Sequence, residues 1–218
     1  MNSGGHPFQF VTASYLTQIS NLKATDLAEL CQDLADCSDA SIFYHTFQSL
    51  SRHHFLTEGF SNDFAQWVLA ACNRADLAEQ MAALDIRDYV LLAELRADLR
   101  RVLGDGCKAE SPQATQKAFE PFYFSEAIEV MVPLGYEAST LEEFRRGLER
   151  LSHASFHYHF IASRLRLQLQ TNDFSHWFQN SLGLERLAQR ANRIDIYTNT
   201  LDSARDLLLA MVDKELSR

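Results

Sequence analysis

The feature that most constrains this chain is an internal repeat. Pro7-Phe8-Gln9-Phe10 aligns with Pro121-Phe122-Tyr123-Phe124 at an offset of 114, and the match continues without a gap to Arg52 and Arg166. Identical pairs include Leu27/Leu141, Glu29/Glu143, Ser41/Ser155, Tyr44/Tyr158, His45/His159, Ser49/Ser163 and Arg52/Arg166. The first half then carries four additional residues. The offset becomes 110 and holds for Asn62/Asn172, Asp63/Asp173, Phe64/Phe174, Trp67/Trp177 and Ile86/Ile196. The chain therefore reads as two homologous copies, residues 1–106 and 112–218, joined by a turn-rich seam at Gly104-Asp105-Gly106 through Ser111-Pro112.

Each copy reads as a short extended Pro-Phe-x-Phe segment followed by helices. Asp26-x-x-Glu29 and Thr140-x-x-Glu143 have the spacing of capping boxes, in which cap oxygen and glutamate satisfy each other's backbone donors. Leu27, Leu30, Cys31 and Leu34 form one apolar stripe, and Phe64, Trp67, Val68 and Ala71 another, starting at Asn62-Asp63. Asp76-x-x-Glu79 predicts a further helix start. Arg164-Leu165-Arg166-Leu167-Gln168-Leu169 alternates like a strand but continues a helical pattern, and is assigned to helix. The expected fold is mainly α, two tandem helical copies packed about a pseudo-two-fold axis as one compact unit.

With 218 residues, 46% of them apolar, and four prolines, the chain can bury a sizeable core. A net charge of −9 disfavours nucleic acid and anionic membrane as partners, since both select for cations. The start, Met1 to Phe8, has neither the basic nor the apolar stretch of a signal peptide, and no run is apolar enough to span a bilayer, so the expected location is the cytoplasm. The four cysteines form no CxxC pair and read as reduced thiols.

The motifs FYHTF and NDFAQW of the first copy, and HYHFI and NDFSHW of the second, resemble an internally duplicated prokaryotic family known only as a domain of unknown function. The resemblance covers nearly the whole chain and implies the helical, duplicated build. It implies no activity.

Residues shared by both copies serve first what both copies share, the fold. Asn-Asp before an apolar stripe reads as helix capping, and Phe and Trp as core anchors. His45 and His159, with Tyr44, Tyr158, Arg52 and Arg166, allow two readings: imidazoles tying a helix to a neighbouring backbone, or a ligand site shared by the copies. In the insertion, His53, His54 and Glu58 offer nitrogen and oxygen donors suited to a transition metal, although neither HExxH nor a fixed His/Cys spacing is present. Arg164, Arg166, Arg186, Arg190 and Arg193 could hold a phosphate or carboxylate, but read first as a solvated face with ion pairs. No P-loop, GxGxxG or GxSxG motif occurs. The expectation is a non-enzymatic binding or regulatory module with no cofactor, taking a protein segment or small molecule between the copies. The alternatives are a metal-dependent enzyme centred on His45, His53, His54 and Glu58, and a structural homo-oligomer.

Overall fold

The computed structural model describes residues 6–52, 60, 62–106 and 111–218. Its architecture is mixed α/β, with 56% helix and 17% strand, and this corrects the mainly helical expectation. The Pro-Phe-x-Phe segments are not short. Each opens a 17-residue strand, β1 (Phe8–Ala24) and β2 (Phe122–Ala138), and the two pair antiparallel in one sheet.

The reason the strands exceed expectation is visible along them. Phe8, Phe10 and Ala13 are buried, and so are Phe122, Phe124 and Ala127, but residues 16–19 and 128–133 are exposed on both faces. A strand that buries neither face shows no period-two pattern. Only its β-branched residues, such as Val11, Thr12, Thr17 and Ile19, betray it.

After β1 come α1 (Leu27–Asp36), α2 (Asp39–His45), α3 (Phe47–Arg52), α4 (Asp63–Ala70), α5 (Ala75–Ala82) and, past a 3-10 turn at Ile86–Asp88, α6 (Leu92–Gly106). After β2 come α7 (Leu141–Glu149), α8 (His153–His157), α9 (Ser163–Leu167), α10 (Asp173–Asn180), α11 (Glu185–Asn192) and α12 (Leu201–Leu216). A π-turn, Tyr158–Ala162, joins α8 to α9. The Arg164–Leu167 stretch is helical, and Gln168 stops it in the left-handed conformation, φ 52°.

Several helix starts follow from local chemistry. Asp26 and Thr140 accept from the N–H groups of Glu29 and Glu143, and Asn62 and Asn172 from those of Ala65 and Ser175. The Asp76 cap is not formed: α5 starts two residues earlier, at Ala75, after Arg74, which makes no side-chain cap.

The chain divides into two compact units. Of the described residues, unit 1 comprises 6–14 and Glu129–Arg218, and unit 2 comprises 15–52, 60, 62–106 and 111–128. Unit 1 thus joins the start of β1 to the helices that follow β2. Unit 2 joins the start of β2 to the helices that follow β1.

Within unit 1, Phe8 and Phe10 pack against Phe144, with Phe8 also on Phe174 and Trp177. Within unit 2, Phe122 packs against Phe64 and Trp67, and Phe124 against Phe64. Each strand start brings two phenylalanines into a core built from the other half of the sequence. Each tryptophan then fixes the chain just ahead of the strand, Trp177 Nε1 donating to the His6 carbonyl at 2.9 Å and Trp67 Nε1 to that of Glu120 at 2.8 Å. Among the described residues no helix is long and apolar enough to cross a membrane.

Candidate functional site

In unit 2 the sequence-selected residues Tyr44, His45 and Arg52 meet around Asp63. His45 lies at the end of α2, where the helix breaks at Thr46 before α3 resumes. Its Nδ1 is 2.8 Å from Asp63 Oδ2, and its Nε2 accepts the Ser125 backbone N–H of β2 at 2.9 Å. A backbone N–H can only donate, so the proton of this imidazole sits on Nδ1 and points at the carboxylate.

The imidazole is 4% exposed, among Phe64, Phe122 and Phe124. Burial lowers its pKa below the ordinary histidine value, and the Asp63 contact offsets only part of that. Burial alone raises the Asp63 pKa, but its hydrogen bond from His45 and the nearby Arg52 guanidinium outweigh burial and hold it below the usual carboxylate value. Ser49 Oγ donates to Asp63 Oδ1 at 2.9 Å, and Arg52 pairs with Oδ2 while its guanidinium lies 4.2 Å over the Tyr44 ring.

Unit 1 repeats the set around Asp173. His159 Nδ1 is 2.7 Å from Asp173 Oδ2, and its Nε2 accepts the Val11 N–H of β1 at 3.0 Å. Arg166 pairs with Asp173 and sits 4.1 Å over the Tyr158 ring. One connection differs. Ser163 Oγ donates to the His159 carbonyl at 2.6 Å, which the π-turn frees, and accepts the Asp173 N–H at 3.3 Å. Asp173 Oδ1 consequently has no hydrogen-bond partner among the described residues, whereas Asp63 Oδ1 is taken by Ser49.

Both clusters border an open cleft. That of unit 1, about 520 Å³, is lined by Pro7, Gln9, Tyr158, Arg166, Asp173 and one face of α10 with the residue after it: His176, Trp177, Asn180 and Ser181. That of unit 2, about 490 Å³, is lined by Asp63, Gln66, Trp67, Ala70 and Ala71, with Phe119 and Glu120. The polar side chains His176, Asn180 and Ser181 stand where unit 2 has Gln66, Ala70 and Ala71.

The structure therefore brings Tyr44, His45 and Arg52 together, and Tyr158, His159 and Arg166 together, each trio within its own unit. His53, His54 and Glu58 lie outside the described residues. Sequence reasoning missed Asp63 and Asp173, assigning them to capping with Asn62 and Asn172. The asparagines alone cap, and an aspartate beside a sufficient cap was the available signal of a second role.

A model of a family of unknown function, DUF5752, matches residues 5–213. The chain belongs to this family. The DUF5752 chain is also similar over 98% of its length to a solved structure of OrfY from Thermoproteus tenax, of which 97% is covered, with 26% identity and a TM-score of 0.83. No curated protein matches the DUF5752 chain.

Proposed function

We propose that this DUF5752 protein is a non-enzymatic binding or regulatory module, and that its ligand, a protein segment or small molecule, occupies the cleft of unit 1. That cleft lies where the start of the first half meets helices of the second. The observation that carries this reading is the commitment of the cluster beside it. Each imidazole nitrogen of His159 is engaged, one by Asp173 and one by Val11, and Arg166 is engaged by Asp173 and Tyr158. Groups held in this way position a strand and form a wall; a general base needs a ring nitrogen within reach of the substrate. What the cleft offers a ligand is instead the polar stripe of α10.

The test is native mass spectrometry of the gently purified chain beside Asn180→Trp, which fills the cleft. A retained molecule present on the wild type and absent from the variant supports the reading. Retention by both, or by neither, contradicts it.

A second reading, a homo-oligomer, is favoured by a run of exposed apolar residues on β2: Val130, Met131 and Val132 are 44%, 56% and 47% exposed. A monomeric mass in solution at high protein concentration excludes it.

A further inference from the structure

The His159 contact reveals which way the edge of β1 faces. Within unit 1, Gln9 stands opposite Glu137, to which its side chain is hydrogen-bonded, and the Phe10 ring lies 4.8 Å from that of Tyr136. In an antiparallel pair, the N–H and C=O of one residue point to the same side, and residues two apart share that side. The Val11 N–H leaves the sheet to reach His159 Nε2. The N–H and C=O of Gln9 therefore also point away from β2, on the edge that borders the cleft, and Gln9 lines that cleft. The sheet has two strands, so no third strand of the described residues takes these groups. Gln9 is exposed, so its outward groups are open to solvent, and an unpaired edge beside a cleft is a template for one more strand.

Opposite this edge stands the helical stripe. From Asp173 to Ser181 it is about 12 Å long at 1.5 Å per residue, the length of roughly four residues of extended chain. At one end is Asp173 Oδ1, an acceptor without a partner among the described residues. Further along are His176, Asn180 and Ser181, all able to hydrogen-bond.

We infer that unit 1 binds an extended, neutral peptide segment of a partner protein by strand addition. The segment's backbone pairs with Gln9, and a hydroxyl or amide side chain on it donates to Asp173 Oδ1. This rests on the cleft reading above and specifies its ligand. An unpaired backbone donor and acceptor of the same residue, side by side on one edge, select another backbone, which is what favours a peptide over other polar ligands. The cleft of unit 2 lacks the partner-free oxygen, since Ser49 takes Asp63 Oδ1, and presents alanines in place of Asn180 and Ser181.

The test uses the full chain labelled with nitrogen-15 and a pool of blocked hexapeptides with threonine or valine at every position. The expected result is a saturable downfield shift of the Gln9 amide together with shifts at His176 and Asn180. Peptides N-methylated along the backbone bind at least tenfold more weakly, and an all-valine peptide three- to tenfold more weakly. Gln9→Pro removes the outward N–H and the side-chain bond to Glu137 but no backbone bond to β2, and binds at least fivefold more weakly than Gln9→Ala, which loses the side-chain bond alone. Should that variant not fold, the N-methylated peptides make the same comparison on the wild type. No shift at Gln9, equal binding of N-methylated peptides, or a response to neutral oligosaccharides alone overturns the inference. If the peptides fail while Asn180→Trp still strips a retained molecule, strand addition falls and the cleft reading stands. If both fail, both fall.

Discussion

The two units hold the same five kinds of side chain, tyrosine, histidine, serine, arginine and aspartate, and all but the serine make the same contacts. In unit 2 the Asp63 carboxylate is closed, with Ser49 on one oxygen and His45 and Arg52 on the other. In unit 1 the serine has turned to the π-turn carbonyl, and one Asp173 oxygen is left open beside a polar cleft. One set of residues thus supplies a strand anchor in both units and, by a single changed hydrogen bond, an acceptor in one of them. A buried ion-pair network by itself is weak evidence for stability. Its value here is geometric: an imidazole spans the gap between a helix carboxylate and a strand N–H.

The largest effect expected from breaking this comparison is at the carboxylates. Asp63→Ala strands a buried imidazole N–H, a serine and an arginine together, and costs about 4 kcal/mol. Asp173→Ala lacks the serine contact and costs about 1 kcal/mol less, a neutral hydrogen bond's worth. Urea unfolding of the two variants measures the difference, and equal losses would remove the distinction between the units.

Next are the histidines. His45→Ala and His159→Ala each leave a strand N–H without a partner and remove one of the two groups held on a carboxylate oxygen, which its arginine keeps, at a cost of about 2–3 kcal/mol each. Because both anchors are equivalent, the two values agree within about 0.5 kcal/mol, and a disparity of several-fold shows that one strand start is held by other means.

A smaller effect separates the units by packing. In unit 1 a Cβ on Gly147 would lie 2.3 Å from the Phe10 ring, so this glycine lets the strand phenylalanine approach. Gly147→Ala forces that ring to move, at about 1–3 kcal/mol. The repeat-related residue, Asp33, is only half-buried, and Asp33→Ala changes stability by less than about 0.5 kcal/mol.

How much of this was legible follows from which signals periodicity carries. The core anchors Phe64, Trp67, Phe174 and Trp177, and the Asn62 and Asn172 caps, lie on helices with one buried stripe, and the sequence displays them directly. The Tyr-His and Arg positions were legible as candidates because both halves of the sequence carry them at one offset. What they do was not, because spacing along a chain does not say that His45 reaches β2 or that His159 reaches β1. The strands escaped for the opposite reason to the helices: their middles bury nothing, so no pattern of burial is written in them. The exchange of strand starts between halves has no local signature at all.

The smallest expected effect is on pH dependence. The folded-state pKa of His45 lies below its unfolded value, so the unfolded chain takes up the proton first as pH falls. The contribution of neutral His45 to stability is complete above about pH 6.5 and is lost as pH falls below that and through the folded pKa. Asp63, also lowered, contributes fully above about pH 3.8 and only below that loses its share. Between pH 7 and pH 5 the urea midpoint therefore falls, and His45→Gln, which titrates nothing, flattens that part of the curve. An unchanged slope in the variant would assign the dependence elsewhere.

The account stands on where two protons sit. Nitrogen-15 spectra of the imidazole rings of the full chain at pH 7 report the tautomer directly. The expected result is that His45 and His159 are both neutral, protonated on Nδ1, with an unprotonated Nε2 coupled through a hydrogen bond to the Ser125 and Val11 amides. Rings protonated on Nε2, or on both nitrogens, would contradict it, because neither can accept the strand N–H that the structure assigns to them.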